Sequence, residues 1–406
     1  MLSLTDEKKT DRYDICVVGG AGHVGLPLSI VFAECGQRVL IYDINKVTLE
    51  LIDNGKLPFI ENGAESRLKA VLRDKRLSLS DRPEEIKGIS TIVITIGTPI
   101  DEFLNPTLKS IALCIERLIP FIDDNALLVM RSTVYPGVVQ WIDDLIKTKG
   151  RRVKLSFCPE RVVQGFALEE IRNLPQIVSG TTSEAEDAAA HLFEKIAPEI
   201  VRMKPMEAEF AKLFSNAYRY IQFAVANQFF MMTSSAGVDY YKVLDGLKHN
   251  YPRAKDIPGA GLSAGPCLLK DTMQLAAFFG NQFGLGHSAM SVNEGLPLFI
   301  IENLLPRDRL KSLTVGLLGM AFKANNDDTR SSLSYKIKKA LKFRAKEVLT
   351  TDPHVTSDPE LCPLETVLKQ SDILILCAPH DEYKNLDPSK FKIVDIWNFY
   401  PRYGSR

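Results

Sequence analysis

No stretch of the chain stays apolar for the roughly 20 residues that a membrane-spanning helix needs. Residues 1–12 are polar and charged, unlike a secretory signal. Neither sign of charge prevails, since 50 Lys and Arg face 50 Asp and Glu. That balance removes any global attraction to nucleic acid or to an anionic membrane and leaves only local basic pockets. Cysteine is sparse and scattered: Cys16, Cys35, Cys114, Cys158, Cys267, Cys362 and Cys377 include no CxxC pair. An odd, unclustered set argues against a disulfide framework and a zinc knuckle. No metal is therefore expected, and the thiols fit a reducing, cytoplasmic setting.

What is present is ordinary for a globular chain, with 45% hydrophobic and 25% charged residues. A length of 406 residues exceeds one ordinary domain, so two or three are expected. Residues 13–18 form a short apolar run that stops at Gly19-Gly20. Residues 26–33 read as a helix, and 38–42 as a second buried strand ending at Asp43. Strand, glycine turn, helix, strand and acid make a βαβ unit. Further strands at 91–96, 126–130 and 153–157 predict a doubly wound parallel sheet up to about residue 200. Residues 207–236 read as one apolar helix of roughly 45 Å at 1.5 Å per residue, a connector and dimer core. Residues 252–265 are rich in Gly and Pro, hence a loop.

Strands at 313–318, 346–351, 372–377 and 392–396 then repeat the opening architecture. The expected fold is α/β. Two Rossmann-like doubly wound domains, 1–200 and 301–406, are joined by the long helix and a helical middle domain, 201–300. The last domain lacks the full glycine fingerprint, so it is assigned no second dinucleotide.

Gly20-Ala21-Gly22-His23-Val24-Gly25 fits GxGxxG. Gly20 permits the tight turn, Gly22 lets the backbone approach a pyrophosphate, and Gly25 lets helix and strand pack closely. The helix N-terminus then aims its N–H groups at phosphate. Asp43 follows Gly25 by eighteen residues, near the spacing of the ribose-binding acid. A carboxylate there accepts from both ribose hydroxyls and repels a 2′-phosphate, so NAD is favoured over NADP. The alternative, a purely structural glycine turn, fits this strand–turn–helix context less well.

Cys267 follows a glycine-rich loop and opens a helical stretch beside Lys270. A helix N-terminus and a nearby ammonium are two ways to favour the thiolate. The other six cysteines read as buried small hydrophobes; Cys267 alone could be one too. Lys212, Asn216 and Arg219 share one face of the long helix. A polar stripe on an apolar helix is either a solvated face or a cluster aimed into a cleft. In the second case Lys212 suits an oxyanion, Asn216 a hydroxyl or water, and Arg219 a phosphate or carboxylate. Glu160, Ser132 and Thr133 each follow a predicted strand and so line the crevice of such a sheet. Glu160 is a candidate acid/base acting through water; turn stabilisation is the plain alternative for Ser132.

These pieces, in this order, resemble the UDP-glucose/GDP-mannose dehydrogenase family from residue 15 to about 398. The residues that carry it are Gly20 to Leu26, Gly97-Thr98-Pro99, Ser132 to Gly137, Cys158-Pro159-Glu160-Arg161, Lys212 with Asn216, Cys267 to Asp271, and Ala321-Phe322-Lys323 followed by Asp327 to Ser332. The resemblance implies a UDP-sugar substrate, NAD, a homodimer, and oxidation of a sugar CH2OH to a carboxylate with Cys267 as nucleophile. It gives Lys212 the oxyanion, Asn216, Asp271 and Thr133 the water, and Glu160 the proton. Gly20, Gly22, His23, Val24, Gly25, Asp43, Thr98, Thr133, Lys270 and Arg330 are its cofactor contacts. Glu160, Arg161, Val162, Lys212, Asn216, Arg219, Arg253 and Lys323 are its substrate contacts.

The sequence also departs from the family pattern. Ser263-Ala264-Gly265-Pro266 replaces the usual paired glycines, His23 a common Tyr, and Arg131 a frequent acid. Glu160-Arg161 with Asn216 and Arg219 is similar to the UDP-N-acetylhexosamine branch, whereas Cys267 to Asp271 is similar to the UDP-glucose branch. A β-hydroxyacid dehydrogenase would share the Rossmann domain and the Lys-xxx-Asn pair. It needs neither Cys267 nor a second Rossmann-like domain. An inactive nucleotide-sugar binder would not need the Cys, Lys, Asn and Glu set.

Overall fold

The computed structural model describes residues 13–98, 101 and 107–400 and divides into two units, 1–213 and 214–406. Residues 1–12 and Pro99 lie outside the described residues. The first unit holds an eight-stranded sheet of order β3-β2-β1-β4-β5-β6-β7-β8. Its strands are β1 (Ile15–Val18), β2 (Val39–Tyr42), β3 (Leu77–Ser80), β4 (Thr91–Ile94), β5 (Leu127–Met130), β6 (Lys154–Phe157), β7 (Gln176–Gly180) and β8 (Ile200–Arg202). β1, β2 and β5 are buried along their whole length, as expected of strands covered on both faces. The register sets Val18 beside both Tyr42 and Ile94, so the turns after β1, β2 and β4 share one edge.

One expectation is corrected here: the sheet is not all parallel. β7 runs antiparallel to β6, with Phe157 opposite Ser179. The 158–175 connection returns the chain at the end where β6 leaves the sheet. β3, which alternates Leu and Ser, was too short and polar to read from periodicity.

The second unit holds a parallel sheet of order β10-β9-β11-β12, made of β9 (Thr314–Leu318), β10 (Glu347–Thr351), β11 (Ile373–Leu376) and β12 (Ile393–Val394). Its core is shared with the middle helices: Ala226, Phe230, Leu244, Leu262 and Leu296 pack in one cluster with Val315, Leu317 and Ile337. A smaller cluster, Tyr220, Ala224 and Ala289, belongs to the middle helices alone. The expected middle domain, 201–300, falls mostly within the second unit. The boundary falls inside the helix Pro205–Ser235. Glu207 accepts the Lys204 N–H at its start, and Gly237, at φ 71°, turns the chain at its end. Among the described residues no helix is long and apolar enough to cross a membrane.

Candidate active site

The glycine turn follows from steric necessity. A Cβ on Gly20 would lie 2.8 Å from the Val17 carbonyl, and one on Gly25 would lie 2.6 Å from the Gly19 carbonyl and the Gly20 Cα. A Cβ on Gly22 would meet nothing nearer than 3.5 Å. Gly20 and Gly25 are thus required by the fold, whereas Gly22 keeps open the space a ligand backbone contact would use. Val24 precedes the helix Gly25–Glu34, and the His23 ring stacks 4.0 Å from Phe59. Asp43 accepts the Ala21 N–H at 3.1 Å and the Asn45 N–H at 3.0 Å. A carboxylate offers about four lone-pair sites. Two remain, enough for the two hydroxyls of one ribose.

At the same edge the Thr98 hydroxyl donates to the Thr133 carbonyl at 2.7 Å, joining the turns after β4 and β5. The Ser132 hydroxyl donates to the Ile96 carbonyl at 2.6 Å, the turn-stabilising role. Glu160 follows β6 as expected, yet its oxygens are engaged. Arg131 donates to Oε2, and the N–H groups of Arg161 and Val162 donate to Oε1 at 2.6 and 2.8 Å. Arg161 itself donates to the Pro175 carbonyl.

On the helix Pro205–Ser235, Lys212 and Asn216 sit one turn apart and are buried, at 8% and 7% exposure. Arg219 lies on the surface, so the expected polar triplet reduces to a buried pair.

Cys267 precedes the helix Leu268–Phe278 and is the exposed one of the seven thiols. Burial pushes Cys114 up to about 11 and Cys158 and Cys377 up to about 12, with Cys16 higher still. Those four are inert small hydrophobes at neutral pH. One turn into the Cys267 helix, Asp271 is fully buried; its Oδ2 accepts from Asn216 Nδ2 at 2.5 Å. Its Oδ1 has no hydrogen-bond partner and pairs with Lys270 Nζ at 3.4 Å. The loop before Cys267 is gripped from two sides. Asn227, itself buried, accepts the Gly261 N–H at 2.9 Å and donates to its carbonyl at 3.0 Å. A Cβ on Gly261 would fall 2.1 Å from the Trp397 ring, and one on Gly265 2.7 Å from the Phe322 ring.

Lys323 follows β9, its ammonium 6.0 Å from the Phe322 ring centre. Arg330, an expected cofactor contact, donates to Asp328 from Nε and Nη2 at 2.6–3.0 Å. That ion pair, and after it the nearby Cys267, hold Arg330 firmly charged. Arg253 is exposed and folds back on Tyr251, whose hydroxyl accepts from Nε at 2.8 Å.

Asp352, after β10, occupies the position that Asp43 holds after β2. Five donors saturate it: the N–H groups of Met320, Ala321, His354 and Val355, and the His380 ring. No lone pair is left for a ribose. His354, His380 and Glu382 bring ligand-type atoms within 4.8 Å of one another. His380, however, accepts the Asn325 N–H on Nδ1 and turns Nε2 to Asp352, so it has no nitrogen to give a metal.

Comparison with known proteins matches residues 13–197, 206–295 and 316–402 to the NAD binding, central and UDP binding domains of one family. A UDP-N-acetyl-D-mannosamine dehydrogenase of Pyrococcus horikoshii is 31% identical over 380 residues, 91% of this chain and 90% of that protein. The chain belongs to the UDP-glucose/GDP-mannose dehydrogenase family. The solved UDP-D-ManNAc dehydrogenase from Pyrococcus horikoshii superposes with a TM-score of 0.89 at 29% identity, covering 96% of both chains. A UDP-glucose dehydrogenase from Pyrobaculum islandicum gives 0.86 at 26% identity, over 96% of this chain and 95% of that one. The activity is accordingly NAD-linked oxidation of a UDP-sugar, and the open Gly22 and half-satisfied Asp43 fit NAD.

The sequence reading missed Asn227, Trp397 and the partner of Glu160. Asn227 is a polar residue in an apolar helix, the same signal that flagged Lys212. Arg131 had already stood out as a departure from the family pattern.

Proposed function

We propose that the protein oxidises the C6 hydroxymethyl of a UDP-N-acetylhexosamine, such as UDP-N-acetylmannosamine, to a carboxylate through a covalent bond to Cys267. The observation that carries this is one exposed thiol at a helix N-terminus, a turn away from a buried Asp271–Asn216 pair. Bound NAD+ accepts a hydride in each of two oxidations. Overall, RCH2OH, two NAD+ and water give RCOO−, two NADH and three protons. Between the oxidations the Cys267 thiolate adds to the aldehyde carbon, forming a thiohemiacetal. The second oxidation makes this a thioester, and water releases the acid and the thiol.

The helix N-terminus favours the thiolate over the thiol. Asp271 Oδ1, an acceptor without a hydrogen-bond partner, suits the attacking water, and Asn216 fixes that carboxylate. Lys212 supplies a buried ammonium for the oxyanion. Thr133 helps position water. Lys323 serves the pyrophosphate as a point charge. The Leu-Leu-Lys-Asp sequence after Cys267 favours UDP-glucose as the second substrate reading.

The long helix exposes Tyr218, Val225, Phe229 and Met232 along one face, a stripe suited to a second copy of the chain. Arg253, already at the surface, would then serve the partner's site. A thiol nucleophile works best under reducing conditions, which fits a cytoplasmic enzyme.

The test is NADH formation at 340 nm over a panel of UDP-sugars, with product quantified by chromatography. Two NADH per sugar and a uronate are expected. One NADH with an accumulated aldehyde or ketone would reject the four-electron reaction.

A further inference from the structure

One helix holds the segment that bears Cys267 on both sides of the thiol. Six residues before it, Gly261 is bound through both of its backbone groups by a single side chain. The Gly261 N–H donates to Asn227 Oδ1 at 2.9 Å, and its carbonyl accepts from Asn227 Nδ2 at 3.0 Å. Four residues after the thiol, Asp271 accepts from Asn216 Nδ2 at 2.5 Å. Asn216 and Asn227 lie eleven residues apart on the helix Pro205–Ser235. That is close to three whole turns, so they share one face, roughly 16 Å apart. A second helix, Gly284–Phe299, sets the Asn227 amide. Its Asn293 donates to the Tyr220 carbonyl at 3.0 Å, which leaves Asn293 Oδ1 to accept the second Asn227 amide hydrogen at 2.9 Å. Asn227 can then face Gly261 in one orientation only. Asn227 and Asn293 are both fully buried, where a network satisfied in this way specifies a single arrangement.

We propose that Asn227 is a positioning residue for the nucleophile: together with Asn216 it spans the Cys267 segment and sets where the thiol meets the substrate carbon. This rests on the proposed function, which gives Cys267 the covalent step. The grip needs one donor and one acceptor on the same short side chain. An aliphatic side chain of similar size offers neither. A carboxylate would turn its charge on the Gly261 carbonyl and on Asn293 Oδ1. A neutral carboxylic acid can copy the amide, its O–H donating to the carbonyl while its C=O accepts the N–H. Burial and the two facing oxygens favour that neutral form. Tyr220 stays neutral beside it, because burial and then the Glu294 charge hold its hydroxyl well above the ordinary 10.

The informative variants are Asn227→Leu and Asn227→Asp, compared with the parent in uronate formation per folded protein from about pH 6 to 9. For Asn227→Leu, kcat should fall about 10²-fold, the loss that a displacement of about 1 Å can bring, while KM for NAD+ stays within about threefold. Asn227→Asp should run at least about tenfold faster than Asn227→Leu at pH 6, with its advantage largest at the acid end, where the neutral acid prevails. A lower melting temperature with kcat within about threefold of the parent would make Asn227 a packing group and overturn the proposal. Equal kcat for the two variants at pH 6 would overturn it as well. Should neither variant fold, the parent decides through amide exchange. Its Gly261 amide should exchange as slowly as the amides of the helix Pro205–Ser235, and exchange at the rate of a free loop would overturn the anchor. A parent that forms no uronate from any UDP-sugar would reject the reaction instead, and Gly261 exchange would still decide the anchor.

Discussion

The glycine turn allows two neighbouring substitutions to be told apart by mechanism. Gly25→Ala puts a methyl 2.6 Å from the Gly19 carbonyl and the Gly20 Cα and 2.8 Å from the Thr95 hydroxyl. Two of those three neighbours are backbone, inside a turn fixed by the Gly19 N–H to the Tyr42 carbonyl and the Thr95 N–H to the Val18 carbonyl. The methyl cannot be absorbed by a side-chain rotation. Overpacking of this kind costs about 1–3 kcal/mol. For a unit of this size each kcal/mol lowers the melting midpoint by roughly 2–4 °C. Gly22→Ala adds the same methyl, but its nearest neighbour is 3.5 Å away, an ordinary contact. Its backbone is not in the left-handed region either. This variant should therefore melt within about 0.5 kcal/mol of the parent, as neutral substitutions do. Its methyl would still occupy the space where a pyrophosphate meets the backbone, so calorimetry should show NAD+ affinity reduced by tenfold or more, about 1.4 kcal/mol. Scanning calorimetry and NAD+ titration of both variants separate the two effects. A stable Gly22→Ala protein that binds NAD+ like the parent would refute the assignment of this turn to the pyrophosphate.

Cys267→Ser should keep NAD+ and UDP-sugar binding and lose nearly all uronate formation; near-normal rates would rule out covalent catalysis. The parent should strongly prefer NAD+ to NADP+, and Asp43→Ala should narrow that preference. Comparable kcat/KM for the two cofactors in the parent would remove Asp43 as the discriminating group. Burial alone would raise Asp352, but the hydrogen bond from His380 and the backbone N–H groups hold it far below the ordinary 3.8. Its stabilisation is then complete above that value and lost as pH falls through the range below it. Asp352→Asn should lower stability at pH 7 by roughly 1.5–3 kcal/mol and flatten the acid limb of a melting-temperature series; an unchanged acid limb would contradict this.

The elements that set the fold were readable because each carries its own local signal. β1, β2, β9 and β11 are short apolar runs ended by glycine, acid or a turn, and the helix Pro205–Ser235 contains no internal breaker. The antiparallel turn at β7 was not readable, because strand direction depends on the path of the connection and not on periodicity. In the sequence a glycine-rich loop and a helix start set Cys267 apart from cysteines inside apolar runs; its exposure is visible only in the structure. The partners that consume a side chain stayed hidden. Nothing in the order of residues shows that Arg131 reaches Glu160 across 29 positions. That pairing is made by tertiary geometry, which favours the nearest buried carboxylate over a ligand not yet bound.

The two Rossmann-like sheets have come to opposite ends with the same piece of geometry. Each has an acid at the tip of its second strand, and each uses it to tie down the preceding turn. In the first sheet the acid does so with half its capacity. In the second, His380 and the His354 and Val355 amides seal what remains. A molecule designed to mimic adenosine should therefore find one socket per chain, not two. A compound meant for the second sheet should ignore its acid altogether.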